Sequence, residues 1–372
     1  MKKLRVLAFY LPQYHPIPEN DEWWGKGFTE WTNVAKAKPS FKGHYQPKIP
    51  TELGFYDLRM PEIREAQAQM AADAGVEGFA YWHYWFGNGR QLLERPFNEV
   101  LTSGKPDYPF CIAWANHSWS NGTWKKEFSK KEGKTVIMEQ LYPGKDDNIN
   151  HFYSLLPAFR DKRYITVDGC PVFIIFNPLV PAIKDFISTW RSLAKKEGLK
   201  GIHFIAFGQM GSLREKINPK HEIDKLLQIG FDAISTASQA KAELECGRTR
   251  KFFKAFLQKV LGIKIVDKYK QKTINKHLYL PEDRLENVYP MLLPNWDRTP
   301  RVGRGCTVYT GSTPEVFQQQ IKDVIDIVAN KQPEHRIAIL KSWNEWGEGN
   351  YVEPDLKYGR GYLNALKNMI ID

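Results

Sequence analysis

Two glutamates three positions apart, Glu345 and Glu348, stand in the stretch SWNEWGEG at residues 342–349, directly after the apolar run RIAIL. On a helix-like turn that spacing puts both on one face, with about 5–6 Å between Cβ atoms. Close carboxyls push their pKa values apart, so one keeps a proton at neutral pH while the other stays charged. Glycosidic bond cleavage needs that combination, one group protonating the leaving oxygen while the other acts as base or nucleophile. The competing reading is structural: one glutamate holds a nearby arginine such as Arg298 or Arg301.

The company these carboxylates keep favours a saccharide ligand. Tryptophan and tyrosine faces suit the C–H faces of sugar rings, and Asn, His and carboxylate groups bond hydroxyls. Tyr10, Trp31, Trp85, Trp119, Trp296 and Trp346 supply the first kind, and Glu30, Asn116, His117, Asp297 and Asn344 the second. Several carry an alternative. Glu30 in FTEWTN either bonds a sugar hydroxyl or caps its loop, and Asp297 in NWDRTPR either binds substrate or pairs with Arg298 or Arg301. In YWHYW, alternation puts His83 and Trp85 on the side of Tyr81, where His83 is either a ligand or a satisfied core histidine. Tyr10, at the end of its run, is expected to point into the mouth of the site, while His15 is a weaker candidate.

What must position these residues is a set of eight short β-branched or aromatic runs, at 5–11, 75–84, 110–116, 171–177, 202–208, 231–237, 287–293 and 336–343. Amphipathic stretches starting at Pro61, Ile183 and Pro314 alternate with them; Pro61 and Pro314 suit helix starts, and Gly75 and Gly198 suit stops. Strand and helix repeated eight times predict an α/β fold, a (β/α)₈ barrel with long loops at the C-terminal face of the strands. A doubly wound sheet is the runner-up, but the glycine-rich phosphate fingerprint is missing. Eleven of the twelve tryptophans close or follow these runs, and only Trp190 falls in a helix. One rim therefore concentrates them, as an active site would. The connection at 12–59 is expected as a structureless loop that walls the site.

At 372 residues the chain is read as one barrel domain, 1–372. Pro12 and Pro16 interrupt the first apolar run, so no signal peptide is expected, and no apolar stretch approaches the length of a membrane span. Cys111, Cys170, Cys246 and Cys306 are scattered, which predicts a reducing cytoplasm and no zinc site, and no cofactor or metal is implied. The net charge of +11 is concentrated: residues 248–276 hold ten Lys or Arg against Asp267 alone. There, KFFKAFLQKVLGIKIV either contacts an anionic membrane surface or packs its apolar side on the protein with the lysines solvated. No nucleic-acid motif accompanies the charge.

Five motifs in order, AFYLPQYHP, GFTEWTNV, GFAYWHYWF, NWDRTPR and SWNEWGEGNYVEP, resemble the WbsX-type proteins over nearly the whole chain. Those proteins are related to glycoside hydrolase family 99. The resemblance implies a (β/α)₈ barrel that cleaves internal α-mannosidic linkages with retention and without a metal. It also implies a place in bacterial polysaccharide or O-antigen biosynthesis, where such proteins are labelled glycosyltransferases. By position, Glu345 would be the general base, acting on the substrate's own 2-hydroxyl through an epoxide-like intermediate, and Glu348 the general acid/base. Glu30 resembles a family residue that contacts substrate. The family pattern N-E-W-H-E-G departs here at Gly347, which removes a side chain and frees the sugar specificity from mannose. The expected function is thus a retaining glycoside hydrolase or transglycosylase on a bacterial surface polysaccharide or its precursor, at or near the inner membrane. A glycosyltransferase and a non-catalytic carbohydrate-binding barrel remain the alternatives, the last favoured if either glutamate is locked to arginine.

Overall fold

The computed structural model describes residues 3–120, 135–208, 218–262 and 265–371; Trp124 lies outside them. Eight parallel strands, β1 (Arg5–Tyr10), β2 (Gly78–Trp85), β3 (Phe110–Trp114), β4 (Cys170–Ile175), β5 (His203–Gly208), β6 (Ala233–Thr236), β7 (Val288–Leu292) and β8 (Ile337–Leu340), pair in chain order. β1 pairs with both β2 and β8, so the sheet closes into a (β/α)₈ barrel. The strands are buried almost throughout, as parallel strands with helices outside them must be.

The described helices are α1 (Pro18–Trp24), α2 (Glu30–Ala35), α3 (Pro61–Asp73), α4 (Arg95–Ser103), α5 (Lys145–Phe159), α6 (Ile183–Lys196), α7 (Pro219–Ile229), α8 (Gln239–Leu261), α9 (Gln271–Leu278), α10 (Thr299–Val302), α11 (Pro314–Val328) and α12 (Gly361–Ile370). Pro61 and Pro314 open α3 and α11, and the Thr313 hydroxyl accepts from the Val316 N–H at 3.4 Å. Gly75 and Gly198, just past α3 and α6, take left-handed φ values of 80° and 75°.

The 12–59 connection differs from its expectation. It holds α1, opened by Pro18, and α2, where the Thr29 N–H donates to the Thr32 hydroxyl at 3.3 Å. Those local signals organise a segment that has no long apolar period.

Between barrel and helices, Trp190 of α6 is fully buried against Phe186 and Phe173, with ring centroids 4.4 and 4.6 Å away, and its Nε1–H donates to the Asn148 carbonyl at 2.9 Å. Truncating such a side chain leaves a cavity and an orphaned carbonyl. Trp190→Ala is expected to cost about 3–5 kcal/mol, read by urea unfolding as a lower midpoint at unchanged slope.

Candidate functional site

The parity of each strand decides what reaches the mouth. In β1, Phe9 points inward and stacks on Trp82 at 4.3 Å, while Tyr10 points outward and donates its hydroxyl to Gln67 of α3 at 2.6 Å. In β2, Trp82 and Tyr84 line the interior, whereas Tyr81, His83 and Trp85 face the helices. Trp85 lies flat on His151 at 4.5 Å and donates to Asp147 at 3.0 Å; His83 meets His151, Nε2 to Nε2, at 2.9 Å. Trp82, Phe176 and Phe207 thus form an aromatic floor, and above it opens a cavity of about 500 Å³ at the C-terminal ends of the strands.

The loop after β8 hangs its carboxylates over this floor. Asn344 pins it to the end of β1, accepting from the Leu11 N–H at 2.7 Å and donating to the Leu11 carbonyl at 3.0 Å. The Ser342 hydroxyl accepts from the Glu345 N–H at 3.0 Å. Trp346 is buried, stacked on Tyr351 at 3.7 Å, and donates to Glu353 at 2.7 Å. Glu353, which also accepts from Tyr56 and Gln67, is fully enclosed, and burial pushes its carboxyl up to about 7. A single 3₁₀ turn, Trp346–Glu348, then brings Glu345 and Glu348 to the same side.

Both meet Arg301 of α10. Its Nη1 lies 3.1 Å from Glu345 Oε1 and 2.9 Å from Glu348 Oε1, so those two oxygens are no more than 6.0 Å apart. Its Nε donates to Glu30 Oε1 at 2.9 Å, from behind the cavity wall. Arg298 Nε approaches Glu348 Oε1 at 3.0 Å as a charge contact, without hydrogen-bond alignment. Lys341, at the end of β8, lies 4.4 Å over the Trp296 ring with its ammonium 3.2 Å from Gln239 Oε1. Three carboxylates thus face three cations.

The two glutamates are not equivalent. Burial pushes Glu348 up, but Arg298, Arg301 and Lys341 outweigh it and hold the carboxyl at about 2. Glu345 is raised above the usual carboxylate range by burial and then by the charge on Glu348, which Arg301 and Lys341 only partly offset. Burial lifts Glu30 to about 7 against the pull of Arg301, and its Oε2 is buried without a hydrogen-bond partner. In this arrangement a shared proton belongs on Glu345 and a fixed charge on Glu348.

Of the residues singled out by sequence, His117, Trp119, Trp296, Glu345 and Glu348 line the cavity. Tyr10, His83 and Trp85 face the helix layer instead, and Trp31 is buried, donating to the Tyr56 carbonyl at 2.8 Å. Asn116 is buried too, tied to Tyr142 and to the Asn177 backbone, and Asn344 and Trp346 brace the loop rather than line the cavity. His15 is buried and lies against the Pro12 carbonyl at 3.1 Å. Asp297 pairs with neither arginine: it accepts from Gln46 at 2.7 Å, meets His44 at 2.8 Å, and takes the N–H and hydroxyl of Thr299. It fastens α10, which carries Arg301. Sequence reasoning passed over Tyr84, Gln239, Glu243 and Lys341, all of which line the cavity. Gln239 had a signal, since it follows the end of the 231–237 run; Lys341 lay inside the 336–343 run, which the structure ends at Leu340.

Gly347 has a steric reason. A Cβ there would fall 1.6 Å from Glu30 Oε1 and 3.0 Å from Arg301 Nε. The place of the missing side chain is filled by Glu30, so its loss does not widen the cavity. Among the described residues no group of three or more His, Cys, Asp or Glu converges as metal ligands.

The closed barrel is shared with glycoside hydrolases of similar fold. It superposes on a glycoside hydrolase-like protein with a TM-score of 0.57 (14% identity, covering 99% of this chain and 94% of that one). A glycoside hydrolase family 99 endo-α-mannosidase from Bacteroides thetaiotaomicron gives 0.54 (15% identity, 98% and 95%). At these identities the likeness establishes the fold. The sequence decides the family: residues 6–366 match Glycosyltransferase WbsX, and the chain belongs to the WbsX family. It is 32% identical to the uncharacterized protein WxcX of Xanthomonas campestris pv. campestris over 98% of its own length. It spans about half, 49%, of that relative.

The contact between Glu30 and Gly347 is testable by a double-mutant cycle. Gly347→Ala is expected to cost about 1–3 kcal/mol through displacement of Glu30 and Arg301. In a Glu30→Ala background the same substitution should cost at least about 1 kcal/mol less, as coupling between touching groups requires. Additive costs in thermal or urea unfolding would contradict this packing.

Proposed function

We propose that this barrel breaks or transfers a glycosidic bond, with Glu345 and Glu348 as its acid and base pair. The observation that carries this reading is their joint exposure to one aromatic-floored cavity with pKa values pushed in opposite directions. A second hollow of about 330 Å³ shares Phe176 and Phe207 with the first, which suits a substrate of more than one sugar. Oxygens no more than 6.0 Å apart favour retention, since inversion needs about 6.5–9.5 Å between carboxyl groups for an intervening water. In this proposal Glu345 donates its proton to the departing oxygen as the C–O bond breaks, while anionic Glu348 takes the proton of the substrate's 2-hydroxyl, whose oxygen bonds to the anomeric carbon; water, or an acceptor hydroxyl, then opens that intermediate and both protons return. These are the reverse of the roles carried over from family 99 by position. The substrate class is a bacterial surface polysaccharide or its precursor.

Two specific observations favour other readings. The family's description as a glycosyltransferase supports transfer from an activated sugar. The clasp of both glutamates by Arg301 is the feature that favours a binding barrel without catalysis. Against the latter, all these contacts fall on Oε1 of each glutamate.

Capsule and O-antigen oligosaccharides, incubated with wild type, Glu345→Gln and Glu348→Gln and followed by NMR of the released anomer, test the reading. Retained configuration with loss of at least about a hundredfold in each variant is expected. Binding without cleavage, unchanged by either substitution, would leave the binding barrel; turnover only with an activated donor would leave the transferase. Substrates with leaving groups that need no proton separate the roles. Glu345→Gln should keep most of its activity on them if Glu345 is the acid, whereas selective rescue of Glu348→Gln would restore the family assignment.

The pH profile has a defined sign. Glu348 is ionised above about 2, so its charge is present across the neutral range. Glu345 must be protonated, and its pKa is raised, so activity is expected to persist beyond pH 4.5 and then fall as pH rises through the raised value. A rate that climbs with pH through that window would give Glu345 the role of base.

A further inference from the structure

The proposed function uses only the first part of α8, where Gln239, Ala240 and Glu243 line the cavity. The helix then breaks at Gly247, whose φ of −169° and ψ of 45° are not helical. Past the break its surface changes character. Phe253, Phe256 and Val260 recur at i, i+3 and i+7, one helical face, and each is more than half exposed. Leu261 and Ile265 are exposed just beyond. Five large apolar side chains thus face solvent within 13 residues, while no other stretch of that length among the described residues holds more than two. The alternative in which this apolar side packs on the protein does not hold for these side chains.

Charge accompanies the apolar face. Ten Lys or Arg stand against one acid between Arg248 and Lys276, and that acid, Asp267, is buried. Lys268, Lys270, Lys272 and Lys276 are exposed. Lys254 is tied inward, its ammonium 3.3 and 3.5 Å from the carbonyls of Gly305 and Cys306, which fastens the helix to the connection after β7. A stripe of Phe and Val within a lysine-rich segment suits the boundary layer of an anionic bilayer, where rings enter the acyl edge and ammonium groups meet headgroups. Nucleic acid would answer the charge alone and leave the rings in water.

We propose that the second half of α8 is a docking helix for an anionic lipid bilayer, and that the barrel acts on a saccharide carried by a lipid in that surface. The second clause rests on the function proposed above; the first does not. α8 follows β6 at the end of the barrel that holds the cavity, so docking brings the mouth to the headgroup layer. From residue 248 to 261 the helix spans about 21 Å, enough for the apolar positions to engage the surface side by side.

Flotation of the full chain with vesicles of phosphatidylcholine alone, or of phosphatidylcholine with phosphatidylglycerol, provides the test. Binding is expected only to the anionic vesicles and should weaken with salt. The triple variant Phe253→Ser, Phe256→Ser, Val260→Ser should lose vesicle binding by about tenfold or more. Turnover of a soluble oligosaccharide should stay at the wild-type rate in that variant, which also shows that it folds. Absence of vesicle binding, reversible self-association lost in the triple variant, or binding to duplex DNA that the variant does not alter would each overturn the proposal. Vesicle binding without turnover of any glycan would sink the enzymatic reading and leave the docking helix standing.

Discussion

One buried guanidinium organises the mouth of the barrel. Arg301 is withdrawn from water, and an isolated charge there would be costly, so its neighbours are dictated. Glu30 answers its Nε, while Glu345 and Glu348 share its Nη1. Glu30 can reach it only by occupying the volume next to Gly347 that any side chain would take. Asp297 secures the turn that presents it, and Asp297 is itself held at about 2, where His44 and Lys48 overcome the effect of burial. Residues from the first, seventh and eighth strand connections thus form a single electrostatic unit. Removing Arg301 would take from three buried carboxyls the cation they share.

That unit explains how two carboxylates in one short turn come to differ. Glu348 has Arg298 as an additional counter-charge, whereas Glu345 faces the negative Glu348 and is raised by it. Burial acts on both in the same direction, so the asymmetry comes from the placement of cations. Arg301 serves both glutamates, which means it fixes their separation without deciding which one holds the proton. Lys341 also acts on both, so the deciding charge is Arg298, whose guanidinium lies 6.0 Å from the Trp296 ring centroid and approaches Glu348 alone.

The barrel was legible because each of its strands is an apolar run bounded by turn residues, and all eight runs fall within three residues of the observed strands. The concentration of tryptophan at strand ends marked the rim, and SWNEWGEG marked the carboxylates. Strand parity was not legible. Parallel barrel strands are buried on both faces, so hydrophobicity does not tell which side of YWHYW points inward, and a shift of one residue exchanges His83 and Trp85 for Trp82 and Tyr84. The partnership of Glu30 with Arg301 spans 271 residues, a separation no local pattern encodes. The resemblance to family 99 marked Gly347 as a departure, but the reason for it, a carboxylate in the vacated volume, exists only in three dimensions.

α8 couples the chemistry of the mouth to the surface of the molecule. Its first turns contribute Glu243, held by the Tyr309 hydroxyl at 2.9 Å, and its later turns carry the exposed rings. The break between them leaves little room for a side chain: a Cβ at Gly247 would meet the Tyr269 ring at 3.0 Å. Tyr269 in turn belongs to the short strand Asp267–Lys270, which pairs in parallel with Thr307–Thr310 beyond β7. The basic segment is therefore tied back to the connection that presents Arg298 and Arg301, by a sheet as well as by Lys254. The helix that carries the exposed rings and the turn that carries Arg298 and Arg301 thus meet at one connection, through the Lys254 ammonium and through the pairing of Asp267–Lys270 with Thr307–Thr310.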